Sequence, residues 1–232
     1  MVGSVVRLAA IPAVLAIAIA ARATRSDGEL ATHRPGPAPT LEQRLASTAR
    51  EDTAVFAGGC FWGIEAVFEH VKGVSSATSG YAGGDLPSPS YEQVSTGRTG
   101  YAESVRVVFD PSQVSYGTLL QIFFSVAHDP TQLNRQGPDV GTQYRSIAFY
   151  ANPEQKRIVD AYIRQLTEAK FFARPIVTQV LPLRSFYPAE AYHQHYAMRH
   201  QDQPYIAMFD LPKVALLRRE FPALYHEVAG SN

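Results

Sequence analysis

The one cysteine of this 232-residue chain stands in the string Gly58-Gly59-Cys60-Phe61-Trp62-Gly63. A lone thiol can neither close an internal disulfide nor build a multi-cysteine metal centre, so Cys60 is either a core side chain or a reagent. Free cysteine is among the most buried residue types, which favours the first use. The flanking glycines and the Phe-Trp pair favour the second, because a core-filling cysteine needs no such frame. Residues 53–57 read as a short strand, the two glycines as a tight turn, and residues 64–68 as helix. The thiol then falls at a helix N-terminus, where unpaired backbone N–H groups and the macrodipole favour thiolate.

Around that thiol the chain offers acids, hydroxyls and imidazoles, each with a plainer use. Glu103 opens a strand and fits a solvated surface carboxylate as well as an acid. Tyr91, in a loop, and Tyr144, at the start of a strand, fit half-buried packing residues as well as hydroxyl donors. Asp139, between proline and valine, fits an Asx turn. His128 follows a helical run, and His193 with His195 forms an i, i+2 pair with no obvious third ligand, so no metal is expected. No cofactor is expected either.

The elements that must position these groups follow from periodicity and punctuation. Strands are predicted at 74–81, 104–109, 144–150 and 176–181, and helices at 116–127 and 153–170, with a long polar loop at 134–142. The order β-α-β-β-α-β-α-β predicts an α+β fold: a two-layer sandwich of helices on a mixed sheet, with a ferredoxin-like core. Beyond Tyr187 the chain reads as a long irregular C-terminal wrap.

Ahead of the domain, Arg7, an apolar run over residues 8–21 and Ala21-Arg22-Ala23 read as a signal peptide or N-terminal anchor spanning residues 1–23. Residues 24–50 have the Pro/Ala-rich composition of a linker, with a short helix possible in composition over 40–50, and the catalytic domain is expected over 51–232. Export to a periplasmic or envelope setting follows. With 21 basic and 21 acidic residues the net charge is zero, which leaves no nucleic-acid footprint, and 46% hydrophobic residues supply a full core.

The Cys60 string resembles the nucleophile motif of the A-type peptide methionine sulfoxide reductases. Further stretches resemble that family's landmarks in order: Gly80-Tyr81-Ala82-Gly83-Gly84, Ser90-Tyr91-Glu92-Gln93-Val94, residues 97–103, His128-Asp129-Pro130-Thr131, residues 136–146 and Ala189-Glu190-Ala191-Tyr192-His193-Gln194. The resemblance implies reduction of methionine S-sulfoxide, protein-bound or free, with Cys60 as nucleophile and Glu103 as acid. Tyr91 and Tyr144 match the hydroxyl donors to the sulfoxide oxygen and Asp139 the second carboxylate. Phe61 and Trp62 match the wall of the S-methyl pocket. The implied partners are oxidised proteins, free methionine sulfoxide and a thioredoxin-like or small-thiol reductant, with the enzyme a monomer.

Two features depart from the family. The chain has no resolving cysteine, so a one-cysteine cycle through a sulfenic acid is expected, closed by an external thiol. Tyr101 stands where the family commonly has histidine. Two other functions fit a lone cysteine: a hydrolase or acyltransferase using His128, His193 or His195 as base, and an exported binding domain with an inert thiol.

Overall fold

The computed structural model describes residues 35–43, 45–48 and 51–228. The apolar N-terminal run, the cleavage signal and much of the expected linker lie outside the described residues. Among the described residues no helix is long and apolar enough to cross a membrane.

The core is built as β1 (Asp52–Ala57), α1 (Phe61–Glu69), β2 (Val74–Ala82), α2 (Tyr91–Ser95), β3 (Ala102–Phe109) and α3 (Tyr116–Ile122). There follow the small hairpin β4 (Arg135–Gln136) and β5 (Asp139–Val140), then β6 (Ile147–Tyr150), α4 (Pro153–Glu168), β7 (Gln179–Pro182) and β8 (Phe186–Pro188). Six strands form one sheet in the order β7-β6-β1-β3-β2-β8. Its centre, β6-β1-β3-β2, is antiparallel throughout and has the ferredoxin-like order, while β7 runs parallel to β6 and makes the sheet mixed.

Side chains alternate across the central strand as period two requires. Ala54 and Phe56 of β1 join the helix-side core with Phe68, Tyr116, Leu120 and Phe123, whereas Val55 and Ala57 face a second cluster with Ala102, Ile147 and Phe149. The helix-side face is where α1 packs, so the β1–α1 junction lies at the sheet's centre.

Three differences from the sequence expectation bear on the site. The predicted 116–127 helix widens after Ile122 into a π-turn, Phe123–Ala127, which frees the Phe123 carbonyl to take the His128 Nδ1 at 3.0 Å. The strand expected from 144 begins at Ile147, because Thr142–Tyr144 coil into a 3-10 turn behind Gly141, whose φ is +148°. The C-terminal wrap is largely helical: α5 (Tyr196–Arg199), a π-turn at Ile206–Asp210, and α6 (Leu211–Glu220). These close over the outer side of α1, where Ala66 meets Ala197, Ile206 and Val214.

Upstream, residues 35–42 form a strap rather than a loose tether, and no helix forms among the described residues of 40–50. Gly36 N–H donates to Ser125 Oγ at 2.8 Å, Tyr162 Oη to the Pro37 carbonyl at 3.0 Å, and Gln165 Nε2 to the Ala38 carbonyl at 2.8 Å. Composition showed the prolines but not the partners waiting on the π-turn and α4.

Candidate active site

Cys60 is the N-cap residue of α1, 9% exposed, at the end of β1. The two glycines before it are required by what crowds them. A Cβ on Gly58 would stand 2.8 Å from the His128 ring, and one on Gly59, at φ +107°, 2.6 Å from the Gln136 side chain. Both neighbours are fixed. His128 Nε2 meets Ser146 Oγ at 2.7 Å, and the Gln136 amide clips the backbone of Asp129 at 3.1 and 3.0 Å.

The first turn of α1 carries backbone N–H groups with no intrahelical acceptor. Phe61 N–H donates to Glu103 Oε2 at 3.1 Å, and the Trp62 N–H acts to lower the Cys60 pKa. Glu103 is the second residue of β3 and 2% exposed, so it is not a surface carboxylate. Burial pushes its pKa up to about 8; the charges of Asp139 and Asp210 add to that rise, and the Phe61 N–H opposes it. At neutral pH this carboxyl is mostly protonated.

The thiol departs from the sequence expectation. Burial, then the charges of Glu103 and Asp210, hold its pKa well above the ordinary value, and the Trp62 N–H and Lys213 offset this only in part. A helix start favours thiolate, but a nearly dry pocket shared with carboxylates outweighs it. Protonation of Glu103 removes one of the charges that disfavour the thiolate.

Tyr91 and Tyr144 face the same sulfur, and Asp139 acts on Glu103 beside it. The Tyr91 and Tyr144 hydroxyls are held in neutral form by burial, and both feel Glu103 and Cys60. Tyr91 opens α2, with its N–H on Glu190 Oε1 at 2.9 Å. Asp139 Oδ2 accepts from Tyr205 Oη at 2.5 Å. Phe61 is buried, and Trp62 stacks on Tyr196 at 4.0 Å with its Nε1 donating to His193 Nδ1 at 3.1 Å.

Four residues of the site were not expected, Glu190, Tyr205, Asp210 and Lys213, and His193 was weighed only as a base or metal ligand. Tyr205, Asp210 and Lys213 come from the tail, where Pro204-Tyr205-Ile206 and Pro212-Lys213 were the available signals. Tyr101, the departure from the family pattern, bonds the Leu86 carbonyl through its hydroxyl. None of the histidines weighed as a base bonds the thiol. Both His128 nitrogens are engaged, His193 receives the Trp62 indole, and His195 pairs with Glu69. Glu65, Glu69 and His195 bring ligand-type atoms within 4.8 Å of one another, but Glu65 already accepts the backbone N–H groups of Ser79 and His195.

Fold and site together define a one-cysteine α+β protein with carboxyls and tyrosine hydroxyls gathered on its thiol. Residues 52–223 match the family model described as peptide methionine sulfoxide reductase. The chain is 59% identical over 176 residues to peptide methionine sulfoxide reductase MsrA 2 of Mesorhizobium japonicum, covering 76% of this chain and 90% of that one. It is 49% identical over 174 residues to MsrA of Thermus thermophilus, covering 75% and 97%. Among solved structures, methionine sulfoxide reductase A of Corynebacterium diphtheriae superposes with a TM-score of 0.57 at 36% identity, covering 72% of this chain and 87% of that one. Reduced Mxr1 of Saccharomyces cerevisiae gives 0.60 at 31%, covering 68% and 94%. The chain belongs to the peptide methionine sulfoxide reductase family. It is an oxidoreductase that reduces methionine sulfoxide, a repair activity.

Proposed function

We propose that the enzyme reduces the S epimer of methionine sulfoxide, in proteins and free, by a one-cysteine cycle. The observation that carries this reading is the placement of Cys60 at the α1 N-cap with the buried Glu103 carboxyl bonded to the next residue's N–H. A sulfoxide sulfur accepts a nucleophile only as its oxygen gains a proton or strong hydrogen bonds. Glu103 supplies the proton, the Tyr91 and Tyr144 hydroxyls hold the oxygen, and Phe61 with Trp62 encloses the S-methyl group. Asp139, held by Tyr205, is the second carboxylate.

Cys60 sulfur bonds to the sulfoxide sulfur, the oxygen passes to Cys60, and methionine leaves with Cys60 as sulfenic acid. One external thiol condenses with the sulfenic acid, releasing water and leaving a mixed disulfide. A second thiol restores Cys60 and departs as the disulfide, so two reducing equivalents cross per turnover. A thioredoxin-like protein or small thiol fits that role. The apolar run at residues 8–21 supports an exported setting, and an intact mass starting at Thr24 rather than Met1 in exported material tests it.

The deciding experiment is turnover of the separated S and R epimers with dithiothreitol by wild type, Cys60→Ser and Glu103→Gln. S-selective turnover, abolished by Cys60→Ser and reduced at least about 100-fold by Glu103→Gln, is expected. Full activity of Glu103→Gln would remove the acid from this scheme.

A further inference from the structure

Asp210 is 0% exposed, and what surrounds it does not explain why a carboxylate is there. It precedes Leu211-Pro212-Lys213 at the N-cap of α6, where an aspartate ordinarily caps its own helix. Its side chain makes no capping bond. It turns instead to the first turn of α1, where a Cβ on Gly63 would stand 2.1 Å from Oδ1 and 2.8 Å from Lys213 Nζ. Lys213 Nζ holds Oδ1 at 3.3 Å, and Oδ2 has no hydrogen-bond partner. A buried, half-satisfied carboxylate is costly, and its persistence beside a reactive group calls for a reason.

That reason lies in the inventory of acids around Cys60. Glu103 and Asp210 act on the sulfur, Asp139 acts on Glu103, and Lys213 is the cation that acts on the sulfur. Carboxylates gathered in one site disfavour each other's charge, so a proton stays where the partners are weakest; burial raises Asp210 itself, and the Lys213 ammonium opposes that rise. Asp139 has the Tyr205 hydroxyl and Asp210 has an ammonium, whereas Glu103 has one backbone N–H. We infer that Asp210 is a positioning residue whose Lys213-held charge, fixed against Gly63, keeps the proton of the site on Glu103.

This deepens the proposed mechanism and rests on Glu103 being its acid. The groups facing Glu103 are Cys60 at the start of α1, Tyr81 of β2, Tyr91 of α2, Asp139 of β5, Tyr144 of the 3-10 turn and Asp210 ahead of α6. Asp210 raises both Glu103 and Cys60, so removing its charge moves both in the same direction.

The test is the pH profile of kcat/KM for S-sulfoxide turnover in Asp210→Asn, set beside the pH dependence of Cys60 alkylation by iodoacetamide. Both profiles should move to lower pH by about one unit, so that alkaline activity falls roughly tenfold while activity on the acid limb rises. The double variant Asp210→Asn with Lys213→Met leaves no unpaired buried charge and should fold where the single variant fails; it should shift in the same direction. An unmoved profile, or activity lowered equally at every pH, would overturn the inference. Glu103→Gln run alongside separates the two failures: if it keeps full activity the mechanism falls, and if it is inactive while Asp210→Asn leaves the profile in place, only the role of Asp210 falls.

Discussion

A glycine in the first turn of a helix ordinarily weakens it, by about 1 kcal/mol relative to alanine. Gly63 sits there because the space a methyl would fill is taken by the Asp210 carboxylate and the Lys213 ammonium. Asp210 cannot swing away cheaply, since it is fully buried and tied to Lys213. Gly63→Ala therefore sets a propensity gain of about 1 kcal/mol against overpacking of about 1–3 kcal/mol. The expected outcome is a melting temperature lower by roughly 2–4 °C per net kcal/mol, measured by thermal denaturation with turnover on the same sample. A melting temperature equal to or above wild type would mean that Asp210 moves freely, and with it the basis for its role. Burial and then the Glu103 charge keep Cys60 from being simply a thiolate at a helix start, and the Asp210 carboxylate against the same turn adds to them.

Helix α1 is the element on which the others close. Nearly all its residues are buried, because the sheet takes one side and the C-terminal helices the other. The strand, glycine turn and helix around Cys60 were readable because periodicity and punctuation are local, and the βαββαβ order carried the ferredoxin-like core with them. Helix α6 and the residues Tyr205, Asp210 and Lys213 were not readable in that way. Their meaning depends on which helix the tail meets, and no local pattern in Leu211-Pro212-Lys213 distinguishes a capping aspartate from one turned toward another helix. Glu65 is another such case. It lies on α1 at 1% exposure, accepts Ser79 N–H of β2 and His195 N–H of the tail, and is pushed up to about 8 by burial and then by Glu69. A carboxyl raised in the folded state contributes stability that is complete below its unfolded pKa and lost as pH rises through about 8. Glu103 acts in the same sense. His128, lowered by burial to about 4, acts in the other: its contribution is complete above its unfolded value and lost as pH falls through about 4. Between roughly pH 6.5 and 8.5 the carboxyls alone operate, so the melting temperature should fall across that window. Glu65→Gln should flatten the fall, leaving the share of Glu103; an unchanged slope would show that Glu65 ionises freely in the folded protein.

On the scale of the whole molecule, the boundary of the folded unit is set by contacts and not by composition. Proline-rich residues 35–42 read as linker, and a boundary at Glu51 followed from that reading. Yet Gly36, Pro37, Ala38 and Thr40 bond to Ser125, Tyr162 and Gln165, Ser115 Oγ donates to Glu42 at 2.6 Å, and Leu41 packs on the main core. Proline suits such a strap, since its fixed φ lowers the entropy lost on docking. A chain starting at Glu51 should melt about 4–8 °C below one starting at Arg34, corresponding to a net loss of about 2 kcal/mol. The strap touches α3 and α4, away from the β1–α1 junction, so both chains should reduce methionine sulfoxide at the same rate when assayed well below either melting temperature. Equal melting temperatures would return residues 35–42 to the linker that their composition describes. A lower melting temperature with unchanged turnover would place the start of the folded unit ahead of Gly36 and separate what stabilises the sheet and its helices from what equips Cys60.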